Sequence, residues 1–288
     1  METTTEMRVK IAEAKKLLKK TGHSVSTREQ REFYAKKKRQ EEGLDDKRWF
    51  SWQDTVKHMA LKREGMNDSL NDVQKGALLL MSTFLKRNTN GETTDSKGGK
   101  LTVNKLVELT GKSTKQAKRI VTECENIGAL TTHKEGKETV ITFTEMLYKC
   151  GTLEGDDRMN HIKVYQQRVR EVSEKLSLKE LGLLADLLAH FHWKTHILCE
   201  NPTGIDTQDI KVWRRKDIIE KLRYNRKFVY DTINKFKKNR ILIEISAQID
   251  VICLSPYIVS RQAEKVTLEQ IEEVAHSIAD NLTSNSYL

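Results

Sequence analysis

Paired cysteines are missing. The four present, Cys124, Cys150, Cys199 and Cys253, lie far apart and form no C-x-x-C pair. That excludes a disulfide scaffold and a cysteine-rich zinc site, and it fits a reducing compartment. No apolar run is long enough to span a bilayer, and the opening METTTEMRVK lacks the apolar core of a signal peptide. No membrane partner is therefore expected. A phosphate-binding glycine loop, a pair of catalytic acids and a nucleophile elbow are also missing. The expectation is a protein without a cofactor, a metal or enzymatic activity.

What is present is positive charge. The chain carries a net +10, with a pI near 9.3, which points to a polyanionic partner. Residues 1–66 hold 17 Lys/Arg against 11 Asp/Glu, a net +6, whereas residues 262–288 carry −4, leaving +8 between them. Two prolines in 288 residues, with abundant Lys and Asn, give a composition like that of low-GC bacteria and their phages or plasmids.

The most organised stretch runs from Leu101 to Thr144. A first helix places Leu106 and Leu109 on one face, Gly111 supplies a turn, and Ser113 caps a second helix. Ala117, Ile120, Val121 and Cys124 recur at helical spacing and predict a buried face. The opposite face carries Lys115, Lys118, Arg119 and Thr122, with Ser113 and Thr114 at its start. Gly128 ends the helix. Strands Leu130–His133 and Glu138–Thr144 then flank a polar tip, 134–137, that contains Lys134 and Lys137.

Ahead of this stretch, the spacing predicts polar helices near 5–20, 26–42 and 46–64. The last has a stripe of Trp49, Trp52, Val56 and Ala60. Ser69 and Asp72 have the spacing of a capping box opening the first core helix. The pattern then repeats: Ser177–Glu180 answers Ser69–Asp72 at an offset of 108, and residues from Lys216 onward answer those from Lys105 at about 112. The second copy carries Arg223 and Arg240 where the first has Gly111 and Gly128, so a less typical turn and helix end are expected. Its second helix presents Arg226, Lys227, Tyr230 and Asn234, and its hairpin joins strands at 241–245 and 249–254. Ile162, Tyr165, Val169, Val172 and Leu176 predict a connecting helix. Ile271, Ala275, Ile278 and Leu282 predict another, capped by Thr267. Either could form a homodimer seam, but packing on its own domain is the preferred reading.

Together these features resemble tandem winged helix-turn-helix proteins, both the multidrug-resistance-repressor-like regulators and the winged-helix replication initiators of plasmids and phages. The resemblance covers 69–260. The Leu254-Ser255-Pro256-Tyr257-Ile258 run is similar to the segment that ends a wing in the initiators. It implies a mainly α fold with small β-wings and the following domains: a basic helical arm (1–66), a first winged helix (67–155), a connecting helix (156–176), a second winged helix (177–261) and an acidic helix (262–288). It also implies double-stranded DNA as partner, bound through Ser113, Thr114, Lys115, Lys118, Arg119, Thr122, Lys134, Lys137, Arg226, Lys227, Tyr230 and Asn234.

Two details point elsewhere. His190-Phe191-His192 and Tyr224-Asn225-Arg226-Lys227 resemble the metal-binding and nucleophile motifs of rolling-circle nucleases. Histidines two apart diverge by about 200° on a helix, however, so the reading is set aside. His192, His196 and Cys199 are zinc-ligand types with no visible fourth member. The expectation is a non-catalytic, sequence-specific DNA-binding transcription regulator of the bacterial cytoplasm or nucleoid. The alternatives are a winged-helix replication initiator that binds origin repeats, and an interaction protein that uses the same fold to bind a polymerase or other protein, a replication protein among the possible partners.

Overall fold

The computed structural model describes residues 49–53, 70–95, 97–144, 147–151, 161–207, 209–246, 250–261, 267 and 269–274. The described residues form a helix-rich fold with small antiparallel sheets. The helices expected at 5–20 and 26–42, the cap at Ser69 and the tail positions Ala275, Ile278 and Leu282 lie outside them.

Chain order is β1 (Trp49–Gln53), α1 (Asp72–Ser82), α2 (Val103–Thr110), α3 (Thr114–Asn126), β2 (Leu130–Glu135), β3 (Glu138–Phe143) and β4 (Tyr148–Lys149). There follow β5 (His161–Tyr165), α4 (Gln166–Ser173), α5 (Leu178–Leu187), α6 (Arg215–Leu222), α7 (Arg226–Lys238), β6 (Leu242–Ser246), β7 (Asp250–Leu254) and β8 (Val259–Ser260). The second series repeats the first. From α2 to β2 every element start recurs 112 residues later, in α6, α7 and β6. β1 and β5 are also 112 apart, while the caps of α1 and α5, Asn71 and Ser177, are 106 apart. The sequence alignment at 108 was therefore two residues out of register.

β1 corrects a larger expectation: residues 49–53, placed in a helix by their stripe, form a strand. Trp-Phe-Ser-Trp suits a pleated ribbon by residue type, and β1 pairs with β4 on one side and β5 on the other, in a sheet of order β4-β1-β5-β8. The connecting helix is corrected in the same way, because Ile162 and Tyr165 lie on β5 and only the part from Gln166 is helical. In β5, Ile162 and Val164 are buried while Lys163 and Tyr165 are partly exposed, the alternation of a strand covered on one face. Val169 and Val172 are buried on α4.

The two copies meet about a pseudo-twofold axis. In the β1–β5 ladder Ser51 faces Lys163, its own counterpart, and the ends pair as Trp49 with Tyr165 and Gln53 with His161. α1 and α5 cross on the same relation. A β-carbon built on Gly76 would lie 1.8 Å from the Leu178 carbonyl oxygen, and one built on Gly182 would lie 2.0 Å from that of Asp72. Those contacts exchange under the 106-residue shift. Only glycine lets two helix backbones come this close.

Capping explains where these helices start. Asn71 Oδ1 accepts from the backbone N–H groups of Val73 (3.0 Å) and Gln74 (3.1 Å), and Gln74 Oε1 accepts from Asn71 N (2.8 Å). Ser177 and Glu180 form the matching box in α5. From Ala77 to Met81 every residue of α1 is buried, as expected of a helix that is apolar all round. Beside the crossing, Lys75 Nζ lies 2.9 Å from Asp186 Oδ1, and the Tyr224 hydroxyl donates to Asp186 Oδ2 at 2.8 Å. Burial raises the Asp186 carboxyl, and Lys75 works against the rise. Thr267 caps the helical segment at 269–274 as expected, exchanging hydrogen bonds with Gln270. Ile271 packs with Ile197, Ile245 and Val251 of the second copy.

Gly76→Ala and Gly182→Ala should each force α1 and α5 apart. The expected cost is about 3 kcal/mol, seen in a thermal melt as a midpoint lower by roughly 10 °C. An unchanged midpoint would mean that the crossing does not constrain the fold.

Candidate nucleic-acid interface

α3 is built as its sequence suggests. Ser113 is its N-cap, receiving Gln116 N at 3.3 Å, and Gln116 Oε1 accepts from Ser113 N in return. Ala117, Ile120, Val121 and Cys124 are all buried. Ser113, Thr114, Lys115, Lys118, Arg119 and Thr122 are all exposed. Arg119 reaches Glu123 across one turn at 3.7 Å, while the ammonium groups of Lys115 and Lys118 have no carboxylate partner among the described residues. This face is dominated by cations and hydroxyls, with Gln116 and Asn126 also exposed and Glu123 at its edge. α2 departs in one detail: Leu106 is buried, but Leu109 is 37% exposed.

The β2–β3 hairpin is longer than expected. Its strands run to Glu135 and from Glu138, so only Gly136 and Lys137 form the turn, with Gly136 at φ +60°. Lys134 and Lys137 are exposed, and Lys134 Nζ donates to Thr139 Oγ1 at 2.8 Å. Glu135 is held by Lys100 and by His133 Nε2 (3.0 Å), with Lys100 the larger influence in keeping its carboxyl below the usual range.

α7 occupies the same place in the second copy, yet its surface differs. Val229, Ile233 and Phe236 face inward, while Arg226, Lys227, Tyr230 and Asn234 are exposed. Three of the four are already engaged. The Tyr230 ring centroid lies 5.1 Å from the Arg215 guanidinium carbon and 5.6 Å from that of Arg226. Asn234 Oδ1 accepts from Arg215 at 3.2 Å. Arg215 also grips Glu244 with Nε and Nη2 at 3.0–3.2 Å, and Lys237 closes on the same carboxylate. Burial opposes the charge on Glu244, but Lys237 and Arg215 outweigh it and hold the carboxyl below its ordinary range.

Arg215 and Glu244 escaped the sequence reading. The available signal was the repeat itself, which sets Arg215 on buried Val103 and Glu244 on Thr132. The first copy satisfies that corner differently, with Glu125 accepting from Thr132 N and Oγ1 at 2.8 and 3.0 Å. A second missed feature ties each of these helices to the leading helix of its copy. Gln74 donates to Glu123, and Lys235 donates to Glu180 at 2.8–2.9 Å, each using the residue that closes the capping box.

The histidine and tyrosine motifs lie apart from these faces. α5 ends at Leu187, so His190 and His192 follow the helix rather than end it. His190 stacks on Trp213 with centroids 4.1 Å apart, and His192 Nε2 lies 2.9 Å from the Gly204 carbonyl oxygen. Tyr224 is buried against Asp186, and burial raises its phenol well above the ordinary value. Burial pushes the Cys199 thiol up to about 12. Among the described residues no group of three His, Cys, Asp or Glu could hold a metal ion, and no helix is long and apolar enough to cross a membrane. No family model, curated protein or solved structure matches the chain.

Arg223 and Arg240 correct the expectation of a less typical second turn. They adopt φ +57° and +56°, the left-handed conformation that Gly111 (φ +63°) and Gly128 (φ +75°) take in the first copy. A side chain there costs about 1–2 kcal/mol, partly offset by the lower chain entropy that glycine forfeits. Arg223→Gly and Arg240→Gly should each stabilise the fold by about 0.5 kcal/mol. Urea denaturation measures this, and destabilisation by either change would refute it.

His196 gives a pH dependence. It is fully buried, and burial is the main cause that lowers its pKa from 6.5 to about 4, ahead of the opposing Leu254 carbonyl. Between those values the unfolded chain binds a proton that the folded chain refuses, so stability should fall as pH falls through this window. His196→Asn, which tolerates the left-handed backbone at φ +59°, should remove part of that slope in melts at pH 7, 6 and 5. An identical slope in the variant would rule His196 out as its source.

Proposed function

We propose that this chain is a non-catalytic, sequence-specific double-stranded-DNA-binding protein. In this reading its two helix–helix–hairpin units are winged helix-turn-helix domains, with α3 and α7 as recognition helices and the β2–β3 hairpin as a basic wing. The observation that carries the reading is α3. Its inner face is apolar and buried at Ala117, Ile120, Val121 and Cys124, and its outer face exposes Lys115, Lys118, Arg119, Ser113, Thr114 and Thr122, with Asn126 beside them and Glu123 as the one acid at its edge. Such a face suits a groove walled by phosphates, where Lys and Arg neutralise charge and hydroxyls donate to phosphate oxygens. Lys134 and Lys137 on the hairpin extend the same chemistry.

The pseudo-twofold relation of the copies adds support, since paired recognition helices of this kind read half-sites in opposite orientation. Burial of Tyr224 against Asp186 and the stacking of His190 on Trp213 speak against the nuclease alternative. The role we assign is transcription regulation in a bacterium, phage or plasmid. Footprinting across the source genome distinguishes it from replication initiation: scattered promoter sites support regulation, and one clustered array overturns it.

Lys115→Ala with Lys118→Ala should weaken duplex binding and flatten log K against log salt by about two units, at about 0.9 for each phosphate no longer neutralised. Fluorescence anisotropy over a salt series measures the slope. The same slope and affinity in the variant would remove α3 from the groove.

A further inference from the structure

The two exposed helix faces differ in a way that divides recognition between them. On α3 the cations stand free or make one exposed pair. A mobile lysine neutralises phosphate on any sequence, because its charge acts without fixed geometry. On α7 the central polar groups are held. At the positions equivalent to Lys118 and Thr122 stand Tyr230, flanked by Arg215 and Arg226, and Asn234, bonded to Arg215. Arg215 is fixed in turn by Glu244, whose side chain is 9% exposed and also receives Lys237.

Resting on the DNA-binding reading above, we propose that Asn234 is a base-reading residue that selects an adenine-bearing pair, and that Arg215, locked by Glu244, is the positioning residue that orients its amide. The chemistry is specific. Arg215 occupies one lone pair of Asn234 Oδ1, which restrains the amide and leaves a second lone pair and two N–H donors uncommitted among the described residues, on a side chain that is exposed. That remaining set matches adenine in the major groove, where N7 accepts and the N6 amino group donates. An amide oriented before binding loses less freedom on contact than a free one, so the wrong base is penalised more sharply. The first copy has no counterpart to this arrangement, because Val103 stands where Arg215 would be and Thr122 where Asn234 would be. The first copy thus supplies affinity that varies with salt, and the second supplies sequence discrimination.

The test uses the full chain. Wild-type protein selects duplexes from a randomised pool, and binding is then measured for a selected duplex, its single-pair variants and the unselected pool. Asn234→Ala should lose about tenfold discrimination at one A·T position, within what a single amide–base pair supplies, while its salt slope and its affinity for the unselected pool stay the same. Glu244→Gln raises the net charge by one. It should keep or raise affinity for the unselected pool yet weaken preference at that same position, a combination that a purely structural or electrostatic role would not give. The proposal fails if Asn234→Ala keeps the preference or loses affinity equally on all duplexes. It also fails, with duplex binding left standing, if wild type binds but enriches no sequence. If wild type binds no duplex, both readings fall.

Discussion

The close crossing of α1 and α5 governs what the rest of the structure can do. Two helices brought together at Gly76 and Gly182 admit no side chain between their backbones, so their relative position is fixed by main-chain contact. Each leading helix then holds its own α3 or α7 through the capping-box residue, Gln74 to Glu123 and Glu180 to Lys235. The spacing of the two exposed faces is thereby passed down a short chain of rigid parts, from glycine contact to cap to side-chain bond. Under the proposed function rigid spacing would matter, because a second contact gains from a first only when the geometry allows both at once.

Local signals were legible where a single element carried all its own information. Ser113, the apolar face from Ala117 to Cys124 and the closing Gly128 sit within one helix, and the structure reproduces that helix almost residue for residue. The internal repeat was also readable, because its pattern of apolar positions survives despite different side chains. The strands β1 and β5 were not. Trp49 with Trp52, and Ile162 with Tyr165, happen to fit a helical stripe, and what makes each segment a strand is the other one, 112 residues away. Short windows cannot contain that information. Leu106 and Leu109 do share a face of α2, but periodicity does not say where the covering partner ends, and Leu109 is 37% exposed.

The candidate faces show the same limit. Sequence pattern found which residues point outward on α3 and α7, because that follows from helical period. It did not find that Arg215 and Glu244 organise the second face, since their contact joins α6 to β6 across the fold. The left-handed arginines were misjudged in the opposite sense. Reading Arg223 and Arg240 as departures from the turn underrated how strongly the surrounding elements impose one backbone shape on both copies.

The β1–β5 ladder is self-complementary, since Ser51 lies opposite Lys163 and each end pairs with the counterpart of the other. Main-chain bonds of this kind would join two identical units as readily as two unlike ones, which is the logic of an isologous interface. The copies are distinguished instead by asymmetric ion pairs across the crossing, Lys75 with Asp186 and, more loosely, Lys179 with Asp72 at 3.9 Å. Lys75 meets Asp186 on one side of the helix crossing, while their counterparts on the other side are Leu181 and Leu80. Two second copies placed together would set the Asp186 carboxylate against a leucine in place of the Lys75 ammonium, leaving a buried acid without its opposite charge, which is costly. The fused chain therefore carries, at its crossing, charge pairs that a duplicate of either half could not reproduce.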